Sequence, residues 1–265
     1  MRVWSVLIGG VAFLSLTAHR ASCQIPCRDG ASPQIRKEWV LGQRTSQDLE
    51  QRDGRISDPA IIGYLRRIEN MIARAIGAQP LEVRLTRSSD HYAALFPNGV
   101  LYISSGLLER IENEAELVGL LAHELAHVQA GHVAVPKDQG IAIFRDVCVL
   151  ASRLTSPGTE DVREWELQAT TAAIGYLKAV GYDPAGVLDL FSKLAYEHPA
   201  WANAIVPKDL LELRVRTEAE DAPQGGYRIG SSEFHQQHAM LEMALGHDAT
   251  KGPSLVSRPL LSRRR

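Results

Sequence analysis

Two histidines and a glutamate occur within five residues in the middle of the chain, at His123, Glu124 and His127. Positions four residues apart on a helix share one face, with Cβ atoms about 5–6 Å apart. Two imidazoles at that spacing can bind one tetrahedral zinc ion at about 2.0–2.1 Å. Glu124 would point beside the metal position, where it can take a proton from a zinc-activated water and pass it to a leaving amine. The pattern predicts a zinc endopeptidase with Glu124 as its general base.

The segment around this motif has the pattern of a buried helix. Asn113 with Glu116 three residues later forms a capping-box-like start, and Gly131 ends the pattern. Burying two histidines and a glutamate without a metal would cost several kcal/mol. The context therefore favours one zinc ion per chain over a surface helix that carries two histidines by chance. The apolar positions between the two ends include Leu117, Leu120, Leu121 and Leu125.

A catalytic zinc site needs a third protein ligand and keeps its fourth position for water. A carboxylate on a second helix is the expected source. Spacing alone leaves three alternatives open, which are Glu160, Glu164 and Glu166.

Three segments extend the pattern beyond the five-residue motif: PNGVLYISSGLL (97–108), NEAELVGLLAHELAHVQAGH (113–132) and EWELQATTAAIGYLKAVGYDP (164–184). Together they resemble the gluzincin zinc metallopeptidase family that includes HtpX, BepA and the CAAX prenyl proteases. The resemblance spans about residues 61–194. It implies that Glu166 is the third zinc ligand and that the substrates are proteins or peptides. It also implies that the strand at 100–104 binds an extended peptide by edge addition.

The chain departs from the family pattern at two places. Thr170 stands where the family has an aspartate that orients a ligand histidine. The threonine hydroxyl can still accept a hydrogen bond, but it carries no negative charge. The family's later H-P…R segment, which supplies a histidine near the metal, is degraded. His235 and His238 lie about where it belongs, whereas His198 with its following proline comes too early. Thr170 is therefore the candidate for orienting a ligand, and His235 the candidate for acting near the transition state.

Two other functions compete with the endopeptidase. One is a catalytically weakened zinc-binding chaperone or regulatory module of the same fold, which Thr170 would favour and the intact Glu124 argues against. The other is an exported interaction domain without a metal. Nucleic-acid binding is not expected, because the formal net charge is -2.

The first 23 residues have the pattern of a signal peptide. Arg2 precedes an uncharged, mostly apolar run at 3–16, which is too short to span a bilayer. We expect this signal peptide to be cleaved after Cys23, which would give an exported protein, either periplasmic or secreted. Lipidation of Cys23 is the alternative, and it would give peripheral membrane association through the N-terminus. Cys27 and Cys148 are then either two unpaired thiols, the favoured interpretation, or a disulfide.

The predicted fold is mainly α with a small β-sheet (α+β), a zincin-like metallopeptidase fold in which the sheet packs beside the active helix. We expect a signal peptide at 1–23, an extended or partly helical lead-in at 24–57, a metallopeptidase domain at 58–200 and a C-terminal extension with a disordered basic tail at 201–265. Helices are predicted at 58–77, 113–131, 138–154, 160–180, 184–196 and 233–246, with a short helical piece between Gly106 and Asn113. Strands are predicted at 81–85, 92–96 and 100–103.

Overall fold

The structure is a computed structural model that describes residues 33–96, 98–132, 159–197, 206–220 and 222–246. The predicted helix at 138–154, the cysteines and the two termini lie outside these residues. The helices are α1 (Pro33–Asp53), α2 (Pro59–Ile76), α3 (Ser105–Arg110), α4 (Glu114–Ala130), α5 (Thr159–Ala179), α6 (Ala185–Glu197), α7 (Pro207–Glu218) and α8 (Ser232–Ala244). The strands are β1 (Arg55–Ile56), β2 (Glu82–Thr86), β3 (Ala93–Leu95) and β4 (Val100–Ser104).

The fold is mainly helical with one small mixed sheet, which confirms the predicted fold class. Asp58 caps α2 by accepting hydrogen bonds from two backbone amides, and Gly77 ends it in the left-handed conformation, as expected from the sequence. The lead-in contains a 21-residue helix, α1. Helix α7 is absent from the sequence prediction, and no helix of the described residues is long and apolar enough to cross a bilayer.

The four strands lie in the order β1-β2-β4-β3. Strand β4 pairs in parallel with β2 and in antiparallel fashion with β3, so it has a partner on each side. The expectation that the strand at 100–104 offers a free edge is therefore wrong. That expectation failed because β2 and β4 pair although β3 lies between them in the sequence. Local sequence patterns do not reveal such a pairing. A peptide that added to this sheet would have to pair with β3 or β1.

Helix α6 packs closely against α4 through two glycines. A Cβ on Gly119 would lie 2.8 Å from the backbone of Val187, and one on Gly186 would lie 2.5 Å from the backbone of Ala115. Lys193 of α6 also donates to the buried Glu116 of α4 at 3.0 Å. This contact fixes the side of α4 that carries the first histidine of the motif.

We expect Gly186→Ala to destabilise the protein by about 1–3 kcal/mol, because two backbones would have to separate to admit the methyl group. Urea denaturation of the metal-free protein measures this change. The control is Gly175→Ala on α5, where an added Cβ meets nothing within 4 Å. That variant should gain about 0.5–1 kcal/mol from helix propensity. Equal stability of the two variants would contradict the close contact.

Candidate metal centre

Helix α4 carries the motif inside the protein. Asn113 accepts a hydrogen bond from the amide of Glu116 at 3.0 Å and so begins the helix at its capping residue. The side chains of His123, Glu124 and His127 are buried, with residue exposures of 0%, 2% and 2%. The helix is buried on nearly all sides, so these polar groups depend on partners inside the protein.

Three side chains converge on one point between α4 and α5. The Nε2 atoms of His123 and His127 are 2.9 Å apart, and Oε2 of Glu166 lies 3.1 Å from the first and 3.6 Å from the second. Ligands about 2.0–2.1 Å from a tetrahedral metal are separated by about 3.3 Å. The three distances bracket this value, so the side chains can hold one metal ion.

The protonation of these groups fits a metal site. Burial lowers the pKa of His123 to about 4 and that of His127 to about 3, so both imidazoles are neutral at pH 7 and have a lone pair for a metal. Burial also raises the pKa of Glu166, whose Oε1 is buried without a hydrogen-bond partner among the described residues. A cation at the point of convergence would offset the desolvation of this carboxylate.

The structure distinguishes between the alternative carboxylates on α5. Glu166 is 1% exposed and faces the histidines, whereas Glu164 is exposed. The side chain of Glu160 lies outside the described residues. Helix α7 holds this part of α5, because Arg163 donates two hydrogen bonds to Asp209 at 2.8 and 2.9 Å. Helix α7 of the C-terminal region thus supports the helix that carries Glu166.

Thr170 lies one turn beyond Glu166 on the same face of α5. Its Oγ1 is 3.3 Å from Nδ1 of His123, and the residue is 2% exposed. A metal bound at Nε2 of His123 would place the ring proton on Nδ1, where the hydroxyl would accept it. The hydroxyl therefore occupies the position from which a carboxylate would orient this ring.

His235 is not brought to this centre. It lies on α8 and lines a cleft of about 360 Å³ together with Glu109, Glu112 and His238. None of the three converging side chains lines that cleft. The assignment of His235 to the transition state stays a prediction without a contact among the described residues that supports it.

Sequence reasoning missed His132, which is 5% exposed and has its Nδ1 3.1 Å from Nδ1 of His127. The signal was present in the sequence. Gly131 ends α4 in the left-handed conformation, and the amide of His132 then bonds to the carbonyl of His127 at 2.9 Å. In this helix ending the residue after the glycine contacts the residue five positions before it.

Comparison with known proteins agrees with this geometry. Residues 62–149 match the model of peptidase family M48. The family resemblance inferred from the sequence is thereby confirmed. The M48 match contains helix α4 but ends before Glu166 and Thr170, so their assignment depends on the structure and on the sequence resemblance.

Three curated relatives are proteases by name. The beta-barrel assembly-enhancing protease of Yersinia pestis is 26% identical over 190 residues, which are 63% of this chain and 39% of that protein. The metalloprotease LoiP of Escherichia coli (strain K12) is 28% identical over 159 residues, 52% of this chain and 62% of LoiP. The metalloprotease YcaL of the same strain is 28% identical over 147 residues, 49% of this chain and 58% of YcaL. The chain thus spans less than two thirds of the length of each of these relatives.

The convergence of the three ligands yields a test of the helix register. Glu166→Ala should strip the metal or loosen it, because one of three protein ligands is lost. Glu164→Ala should lose far less metal, since that exposed carboxylate contacts Gln168 rather than the converging atoms. Metal content after dialysis of the two purified variants measures the difference. Loss of metal from the Glu164 variant alone would mean that the register of α5 is wrong.

Proposed function

We propose that this chain is an exported zinc metalloendopeptidase that hydrolyses peptide bonds. One zinc ion per chain is held by His123, His127 and Glu166, and Glu124 is the general base. The observation that supports this most strongly is the approach of three buried ligand atoms to within 2.9–3.6 Å of one another. The M48 match over the helix that supplies two of the ligands supports the same conclusion.

The set of ligand atoms favours zinc over other divalent ions. Two neutral imidazole nitrogens and one carboxylate oxygen are typical of catalytic zinc sites with three protein ligands. Calcium and magnesium instead prefer six or more ligands that are all oxygens. A zinc ion bound here would polarise the scissile carbonyl and acidify a water molecule.

The chemistry assigned to the chain's own residues is proton transfer by Glu124. The carboxylate takes a proton from the attacking water as the new C–O bond forms. It then gives the proton to the nitrogen as the C–N bond breaks, so that the amine leaves neutral. The adjacent residue His123 is a ligand, and neighbouring positions on a helix are turned by about 100°, which places Glu124 beside the metal position.

Proteins of the cell envelope are the substrate class that we propose. The signal-like pattern at 1–23 supports export, and one relative is named a beta-barrel assembly-enhancing protease. Recognition through backbone hydrogen bonds at a sheet edge would be tolerant of side-chain sequence, as suits unassembled proteins. Peripheral membrane association through a lipidated Cys23 belongs to the same proposal.

A catalytically weakened zinc-binding chaperone or regulatory module is the second candidate. It is favoured by one observation, the neutral hydroxyl of Thr170 beside His123 at 3.3 Å. An uncharged partner makes the imidazole a weaker donor to the metal than a carboxylate partner would. Turnover by the wild-type protein separates this candidate from the endopeptidase.

Glu124→Gln should keep the fold and the zinc but lower hydrolysis by about 10²–10⁴-fold, because the amide is nearly isosteric and cannot accept a proton. Digestion of an unfolded polypeptide such as casein, followed over time, measures the rate, and metal analysis measures the zinc. Glu212→Gln, an exposed position on α7, is the matched control and should cleave like the wild type. Cleavage by the Glu124 variant at the wild-type rate would assign the base elsewhere, and a wild type that binds zinc without cleaving would favour the chaperone.

Substitutions at Thr170 test the orientation of His123. Thr170→Asp should tighten zinc binding, because a charged acceptor for Nδ1–H raises the basicity of the ligand imidazole. The opposing effect is a further anion near Glu124 and Glu166, which the zinc partly offsets. Thr170→Val removes the acceptor at nearly constant volume and should weaken binding. Zinc dissociation constants from chelator competition measure both changes, and equal constants for the two variants would exclude this role for Thr170.

A further inference from the structure

The second ligand histidine also has a ring partner, and that partner is another histidine. Nδ1 of His127 lies 3.1 Å from Nδ1 of His132. When Nε2 of His127 binds the metal, the ring proton of His127 must lie on Nδ1, and Nδ1 of His132 is the acceptor for it. His132 must then be a neutral acceptor at Nδ1 and carry its own proton on Nε2. The side chain of Gln168 lies beside His132.

The orientation of Gln168 follows from a further contact. Its Nε2 donates to a carboxylate oxygen of Glu164 at 3.0 Å, so its carbonyl oxygen is the atom that can serve as an acceptor for Nε2–H of His132. Each N–H in this series would then donate to the next acceptor outward. The tautomer of the buried ligand would be set through two neutral groups, His132 and Gln168, and the series ends at the carboxylate of Glu164 on the surface of α5.

A stacking contact also holds the orientation of the His132 ring. It stacks on Trp165 with the ring planes 7° apart and the centroids at 5.1 Å. Trp165 directly precedes the ligand Glu166 on α5, whereas His132 follows the end of α4. The stack therefore joins the helix that supplies two ligands to the helix that supplies the third.

We propose that His132 is a positioning residue for the metal site. It holds His127 in the tautomer and orientation that direct Nε2 at the metal, and Gln168 and Trp165 hold His132 in turn. This inference rests on the proposed zinc site. It adds that the site is oriented by two neutral acceptors, one for each ligand histidine, which are His132 and Thr170.

His132→Phe is the principal test, because phenylalanine keeps a flat ring to stack on Trp165 but offers no acceptor. We expect its zinc dissociation constant, from competition with a chelator, to rise by about 10–100-fold. His132→Asn restores an acceptor and should recover most of the affinity. His238→Phe, in the separate cleft near α8, is the matched control and should bind zinc like the wild type.

A second measurement reports the tautomer itself. In zinc-loaded protein labelled with ¹⁵N, ring N–H correlations should show a protected Nδ1 proton on His127. That proton should exchange faster with water in the Phe variant and be protected again in the Asn variant. A general loss of packing would not restore it in this way.

The exposed Gln168 provides a test that does not depend on a buried substitution. Gln168→Leu should weaken zinc binding, and Gln168→Glu should tighten it by offering a charged acceptor to His132. If His132→Phe fails to fold, as judged by thermal unfolding of the metal-free protein, the zinc dissociation constants of the two Gln168 variants test the inference instead. Wild-type affinity in His132→Phe, or in both Gln168 variants, overturns the inference. A wild-type protein that binds no zinc would instead overturn the proposed function.

Discussion

The approach of two imidazole nitrogens and a carboxylate oxygen inside the protein is the constraint on which the rest of the structure depends. All three atoms converge on the same point, and they are 2.9–3.6 Å apart. Without a cation, this arrangement carries the cost of desolvating a buried carboxylate. The packing around it must therefore hold these three side chains in place. Glycine contacts hold α6 on α4, and the ion pair of Arg163 with Asp209 holds α5 on α7.

The partners of the two ligand rings differ from the carboxylates often found in such sites. A carboxylate partner pushes electron density through the imidazole and strengthens its bond to the metal. The hydroxyl of Thr170 and the imidazole of His132 orient the rings with much less of this effect. If the proposed site is correct, the metal would be bound less tightly but would remain more electron-poor, which suits polarisation of a carbonyl. The two roles of an outer partner, orientation and charge, are thus separated in this chain.

Local sequence patterns predicted the elements whose ends and periodicity are local. Asp58, Gly77, Asn113 and Gly131 marked the ends of α2 and α4, and the structure has caps at each of them. Patterns failed where the determining contact is distant in sequence. The pairing of β2 with β4 made an expected edge strand central, and a polar helix such as α7 has only two buried side chains to reveal it. Glu69 lies buried on α2, and burial raises its pKa to about 7, which its charged residue type alone would not suggest.

The metal centre shows the same division between local and distant information. His123, Glu124 and His127 follow from a spacing of four residues, because helix geometry alone places the two rings on one face. Glu166 required a family resemblance, since three carboxylates on α5 were equal in spacing and only the crossing of two helices distinguishes them. His132 lies between these cases. The glycine ending of α4 predicts its contact with His127 locally, whereas its stacking on Trp165 depends on how α5 crosses α4. A histidine directly after a glycine that ends a metal-binding helix is therefore a candidate partner for the last ligand, and the distant stack determines whether its ring is held there.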